Sequence, residues 1–282
     1  MQSSERRSHL LGHERRAASR HASPSLLQSF VTQLRVIYAL IMREIHTRYG
    51  RENIGFLWVI GEPILFCAGV AIVWTAMRPS HENGLKMTAM VVTGYVPLTL
   101  WRHAMGRAIK AYAVNSSLLF HRLVTPLDII IARTTLEVVG TVLAGSLVLG
   151  GSIFLNYMDP PDDWGKVYLG LAFVIYFSYD TALIISALTE RSELLEKAMS
   201  IAGYLSLPLT GAFTMTEWVP AHYRWILEWS PLANAIELIR DGEFGLKVVP
   251  HYSIPFLMAS CTVLFIIGLF LTLRVREHIE IL

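Results

Sequence analysis

Ionisable side chains set inside apolar runs are the residues of this chain whose types and spacing point to chemistry. Glu62, followed at once by Pro63, interrupts the run "GFLWVIGEPILFCAGVAIVWTAM", and Arg102, Arg133, Glu137 and Asp180 sit within three other apolar stretches. In lipid such groups are costly and mark a pathway or a buried pair. At about 1.5 Å per helical residue, Glu62, Arg102, Arg133 and Asp180 all lie roughly 6 to 12 Å in from one end of their segments. Glu137 lies one turn beyond Arg133 on the same helix face, a spacing that allows a local pair. Two roles are open: the charges neutralise each other between helices, or some face an aqueous cavity where Arg102 and Arg107 attract an anionic cargo. Trp58, Trp74, Tyr95, Trp101 and Tyr204 lie along or at the ends of the same segments. Their rings can stack on the C–H faces of sugars or form an interfacial aromatic belt.

Other chemistries are missing from the sequence. Gly165-Lys166 has Pro160 where a P-loop needs its first Gly and Val167 where it needs Ser or Thr. There is no HExxH, paired CxxC or GxSxG. Cys67 and Cys261 fall in apolar segments without spacing partners, so neither a disulfide framework nor a zinc site is expected. His9 and His13 are four apart but have no third ligand nearby. No catalytic residue, metal or cofactor is assigned to this chain, and no nucleic-acid partner is expected.

The elements that must position these charges follow from composition. Hydrophobic residues make up 53% of the 282, charged residues 16%, and mean hydropathy is +0.45, which places the chain among integral membrane proteins. Crossing a hydrocarbon core takes about 20 helical residues. Six stretches reach that length, roughly 54–77, 87–109, 129–155, 167–188, 198–216 and 254–273. The fold class expected is therefore all-α, with six transmembrane helices. Residues 1–25, rich in Arg, Ser and His, read as a disordered cytoplasmic tail. Residues 26–52 form an amphipathic interface helix with Leu27, Phe30, Val31, Leu34, Ile37, Tyr38, Ile41 and Ile45 on one stripe. Residues 53–282 form the six-span domain.

Lys and Arg near the span ends give orientation. Arg35, Arg43, Arg48 and Arg51 precede the first span, Arg107, Lys110 and Arg122 occupy the second loop, and Arg274 and Arg276 follow the last. Both termini are thereby placed in the cytoplasm. Between the fifth and sixth spans, Ser230-Pro231 reads as a helix start and Asp241-Gly242 as its end. Two half-length helices that dip into the far leaflet and return, a re-entrant hairpin carrying Trp218, Trp225, Trp229 and Ala233, fit these signals as an outer gate or as a plain lid.

In order, "RYGRENIGFLWVIGEPILF", "RLVTPLDIIIARTTLE" and "WSPLANAIELIRDGEFG" resemble the membrane subunits of type 2 ABC exporters, particularly those exporting capsular polysaccharide. With the six-span layout the resemblance covers nearly all of the chain after residue 26. It implies a homodimer in the bacterial inner membrane, working with two separate ATPase subunits that bind ATP and Mg. The cargo implied is a lipid-linked polysaccharide. A periplasmic co-polymerase-type adaptor and an outer-membrane channel continue the route. The stretch Asn115 to Thr125 matches the family's coupling helix, with Asn115, Ser116, Leu119, Phe120 and Arg122 facing the ATPase. Glu62-Pro63 matches the Glu-Pro of the family's first span. Exporters of O-antigen or teichoic acid share the design, and a membrane enzyme acting on lipid-linked glycans is the rival class.

Overall fold

The computed structural model describes residues 26–49, 55–77, 81–82, 84–119 and 123–279. The side chains of Trp58, Glu62, Pro63 and Trp74 lie outside the described set, as do residues 1–25 and Phe120 to Arg122. The chain folds as helices α1 Leu26–Tyr49, α2 Gly55–Met77, α3 Met87–Ala108, α4 Ala111–Val114, α5 Ser116–Leu119, α6 Pro126–Phe154, α7 Trp164–Arg191, α8 Glu193–Leu205, α9 Arg224–Glu228, α10 Pro231–Phe244 and α11 Ile254–Ile279. A two-residue hairpin, His81–Glu82 against Leu85–Lys86, precedes α3. Among the described residues, three segments, Pro126–Phe154, Trp164–Arg191 and Ile254–Val275, are long and apolar enough to cross a membrane.

At the centre stands α7, with α10 and α11 packed along it and α3 beside it. Small residues let these axes approach: a Cβ on Gly170 of α7 would meet the Ala235 carbonyl of α10 at 2.9 Å, and one on Gly268 of α11 would meet Leu183 Cβ at 2.8 Å. The main core, including Leu98, Leu100, Ile130, Leu183, Ile236, Leu238 and Leu257, fills the space between α3, α6, α7, α10 and α11. Outward faces of α2, α8 and α11 carry Leu65, Phe66, Ile72, Ile201, Tyr204, Ile266 and Phe270, all exposed. A bundle that leaves this much apolar surface uncovered is suited to lipid or to a second apolar partner.

The expected fifth span at 198–216 is not one helix. Ser192 caps a new helix by accepting from Leu194 N–H, α8 stops at Leu205, and Leu207–Thr210 is a 3₁₀ turn. Gly211 then takes φ +69°, a left-handed turn that suits glycine. Residues 211–216 therefore run without a helical hydrogen-bond ladder, and their carbonyls need other donors.

Arg240 supplies those donors. Its side chain is fully buried on α10, where Nη1 donates to the carbonyls of Gly211 at 2.7 Å and Thr214 at 2.8 Å, and Nη2 donates to that of Ala212 at 2.8 Å. Glu237, one turn earlier, accepts from Thr216 N–H at 2.9 Å and stands 3.9 Å from the guanidinium. From the other side α3 closes the site at Gly94, where a Cβ would come 2.1 Å from the Ala212 carbonyl.

The start of α10 is as expected: Ser230 accepts from Ala233 N–H and Pro231 occupies the first turn. Its end differs, since the helix runs through Asp241 and Gly242 to Phe244 and stops at Gly245, whose φ is +54°. Gly242 serves packing instead, with its carbonyl accepting from Asp163 N–H at 2.8 Å at the start of α7. The other half of the expected hairpin is two 3₁₀ turns, Thr216–Trp218 and Ala221–Tyr223, followed by the five-residue α9. This cap is held by Arg224, which donates to the carbonyls of Val219 and Glu217, and by His251 against Glu217. The contact with His251, reinforced by Arg224, pulls the Glu217 carboxyl below its ordinary range.

Arg240→Met keeps most of the volume and removes the donors, so it should lower the stability of the bundle by about 3–5 kcal/mol, the range for breaking a buried charged cluster. Gly94→Ala should also destabilise, through the clash with Ala212. Thermal melting of the purified protein in detergent measures both. A melting temperature of Arg240→Met equal to that of the parent would show that the 211–216 segment is held by something else.

Candidate functional site

At the opposite end of the bundle, charged and polar side chains join α1, α3, α4, α6, α7 and α8. In α1, Leu27, Phe30, Val31, Leu34 and Tyr38 are exposed while Val36, Ile37, Leu40 and Ile41 are half-buried and Glu44 is buried. This helix lies against α6. Gln33 donates to Asp128, Arg43 Nη1 donates to Asn115 Oδ1 at 2.9 Å, and Arg133 Nε stands 3.2 Å from Glu44 Oε1. Asp128 is also half of a capping box: it accepts from Thr125 N–H at 2.8 Å while Thr125 Oγ1 accepts from Asp128 N–H, which fixes where α6 begins.

Of the stretch Asn115 to Thr125 expected as the coupling helix, the described residues include the single turn α5, Ser116–Leu119, and a second single turn, α4, comes just before it, with Asn115 between the two. Asn115 is buried, its Nδ2 donating back to the Ala111 carbonyl at 2.8 Å while its Oδ1 receives Arg43. Ser116 is exposed and Leu119 is half-buried. Before α4, Lys110 takes φ +51° and is held from both sides: its N–H donates to Thr189 Oγ1 at 3.1 Å and its Nζ lies 2.7 Å from Glu196 of α8. The contact with Glu196 raises the Lys110 pKa above its ordinary value. Ala113 N–H donates to Glu190 near the end of α7 at 3.2 Å. Tyr112 sinks into the core and bonds Ser186 at 3.0 Å. The α4–α5 segment thus rests on α1 through Asn115 and on the α7–α8 junction through Lys110, Tyr112 and Ala113.

The charges inside the bundle find partners other than those suggested by spacing. Glu137 faces Arg107 at 3.3 Å and His103 at 3.7 Å on α3, and Arg133 faces Glu44 on α1. The local Arg133–Glu137 pair is replaced because the two side chains point to different neighbours. Asp180 is fully buried on the α7 face toward Cys261 of α11, and among the described residues it meets no arginine. Of the aromatic set, Trp101 is in the core, stacked on Phe177 and donating to Thr181 Oγ1 at 3.2 Å. Tyr95 stacks on Phe66 of α2 with ring centroids 5.6 Å apart. Arg102 sits over the Tyr204 ring at 5.4 Å, so these two residues do meet, on the surface between α3 and α8. Trp225 and Trp229 are exposed and Trp218 is half-buried, whereas Ala233 is buried 3.1 Å from where a Cβ on Gly211 would stand. Sequence reasoning missed Glu44, Gln33, Asp128, Lys110, Glu190 and Glu196. The Thr-Pro-x-Asp spacing at 125–128 is a capping signal that could have found Asp128.

Two faces can do work. One is the α4–α5 platform, bonded to α1 through Arg43 and, by way of Lys110, to α8. The other is the surface where Phe66, Tyr95, Arg102 and Tyr204 gather cation and ring faces. The family model described as "ABC-2 type transporter" matches residues 35–244. The capsule polysaccharide export inner-membrane protein BexB of Haemophilus influenzae is 36% identical over 253 residues, 90% of this chain and 96% of that protein. CtrC of Neisseria meningitidis, also a capsule polysaccharide export inner-membrane protein, is 32% identical over 91% of this chain and 97% of its own. The polysialic acid transport protein KpsM of Escherichia coli is 25% identical over 88% and 96%.

Glu44→Gln should cost about 3 kcal/mol by leaving Arg133 poorly compensated, and Glu44→Gln with Arg133→Gln should recover part of that loss. Thermal melting of the single and double variants reads the pair, and strictly additive losses would show that the two side chains do not interact.

Proposed function

Because the chain belongs to the ABC-2 type transporter family, we propose that it is the membrane-spanning subunit of an ATP-driven exporter that carries lipid-linked capsular polysaccharide across the bacterial inner membrane. The observation that carries this reading is the 36% identity to a capsule export inner-membrane protein over nine-tenths of both chains. In this reading α2, α3, α6, α7, the α8 segment with its 3₁₀ extension, and α11 cross the bilayer. The end with α1, α4 and α5 lies in the cytoplasm, as do both termini. Two copies stand together, and two ATPase subunits dock beneath the α4–α5 platform, where ATP and Mg bind to the partner chains.

Local geometry supports the coupling role. A short segment transmits displacement only if its contacts are stiff, and α4–α5 is anchored through a buried Asn115, a buried Tyr112 and two bonded loop amides. Movement of this platform pulls on α8 through Lys110–Glu196 and on α1 through Arg43–Asn115. Since α8 carries Tyr204, a shift there separates the ring from Arg102 on α3 and alters the surface offered to a passing sugar chain. We assign the exposed faces of α2 and α8 to the cargo path and the 216–230 cap to its outer end. A periplasmic co-polymerase-type adaptor and an outer-membrane channel complete the route.

Export is read directly as polymer at the cell surface. Removing this chain should leave full-length, lipid-linked polysaccharide inside the cell, and unchanged surface polymer would overturn the assignment. Lys110→Glu and Glu196→Lys should each reduce export with normal membrane insertion, and the double swap should restore it. If the swap fails to rescue while the ATPase still co-purifies, coupling does not pass from Lys110 to α8.

A further inference from the structure

A cavity of about 290 Å³ opens between α3, α6, α7 and α10 at the end away from the platform. Its walls are apolar, with Val96, Val142, Leu149 and Leu171 among them. Its mouth lies between α6 and α7, where Ser146, Trp164 and Tyr168 are exposed. The volume is near the lower bound of about 300 Å³ for small-molecule sites and suits a single alkyl chain rather than a sugar polymer.

One group in this cavity is out of keeping with an apolar slot. Glu243, near the end of α10, lines it with 5% of its surface exposed, and its Oε2 has no hydrogen-bond partner among the described residues. A buried acceptor left open costs free energy that a donor from a ligand would recover. The surroundings select the sign of that ligand. Asp159 and Asp162 lie close enough to act on Glu243 electrostatically, opposed by Lys247. Asp162 crowds Gly245 at the end of the same helix, and Asp159 is bound to Lys86 at 2.6 Å. The polar rim is therefore acidic on balance, which repels an anionic head and attracts a cationic one.

We propose that this cavity is a resident lipid site, holding one acyl chain of an amine-headgroup phospholipid whose ammonium donates to Glu243. The chain lies along α6 and α7 toward Val142, and the head stays at the level of Trp164, an aromatic suited to the membrane interface. A charge-assisted hydrogen bond of this kind is stronger than a neutral one, so the headgroup and not only the tail is selected. The lipid seals the gap between α6, α7 and α10 beside the helix that carries Arg240. The inference does not depend on which polymer is exported.

Native mass spectrometry of the full chain, purified in mild detergent and exchanged against phosphatidylethanolamine and phosphatidylglycerol, tests it. The expected result is one phosphatidylethanolamine retained per copy, with a preference over phosphatidylglycerol of about tenfold, the size of a hydrogen bond to a charged group. Glu243→Gln should keep a lipid and lose the preference. Ser146→Trp, which fills the mouth from an exposed position, should lose the lipid while melting as the parent does. Equal retention of the two lipids by the parent, an undiminished preference in Glu243→Gln, or an unchanged lipid count in Ser146→Trp would each overturn the proposal.

Discussion

Inside a bilayer no water is available to satisfy a backbone that leaves the helix, and the rest of this structure depends on how the chain meets that constraint. The break after α8 exposes carbonyls at Gly211, Ala212 and Thr214, and a single guanidinium turns all of them into acceptors. Arginine suits the position because its planar fork carries several donors and stays charged when buried. The requirement then propagates. Glu237 balances the charge and holds Thr216, Gly94 gives α3 room to close over Ala212, and Gly170 and Gly242 let α10 lie against α7. A helix buried along its length can carry Asn234, Glu237, Arg240 and Asp241 here because each of them bonds a neighbouring segment.

The opposite end solves a different problem. There Arg43 and Arg107 are exposed while Glu44 and Glu137 are buried, and each contact bridges two elements: Arg43 to Asn115, Lys110 to Glu196, Glu44 to Arg133, Arg107 to Glu137. Such contacts are individually weak where they are exposed. Their value lies in geometry, since each ties the α4–α5 segment or α6 to a helix that could otherwise slide.

What was legible in the sequence follows from range. The Ser230-Pro231 start of α10 and the helical period of α1 depend on residues within four positions, and both are present in the fold. Spacing along α6 suggested that Arg133 and Glu137 pair, but helix-local spacing says only that they are neighbours on a surface. Glu44 and Arg107, distant in sequence, take them instead. The fifth span read as continuous because residues 198–216 are apolar enough, and hydropathy does not register that Ser192 restarts the helix or that Gly211 turns left-handed. Trp101 looked like a ring available to cargo because composition cannot distinguish a belt residue from a core residue; Thr181, eighty positions away, decides it. Arg240 carried no signal of its own beyond being a charge in the motif "WSPLANAIELIRDGEFG", since its three acceptors exist only after the chain has broken its helix.

The two ends differ in a way that bears on movement. Around Arg240 the donors and acceptors are desolvated and mutually dependent, so displacing one leaves several buried groups unsatisfied and the region resists as a block. At the platform the contacts are single hydrogen bonds and ion pairs between separate elements, so the segment is tied to the helices it touches. In the coupling role proposed for α4–α5, a displacement is taken up by the helices that link the two ends without being pinned at both. Among the described helices α8 fits that description best: it is fastened below by Glu196, buries only Gly203, and passes above into the 3₁₀ turn and the segment that Arg240 holds. Ser192 and Gly211 are the places where the helical ladder is interrupted, one before and one after the helix that bears Tyr204.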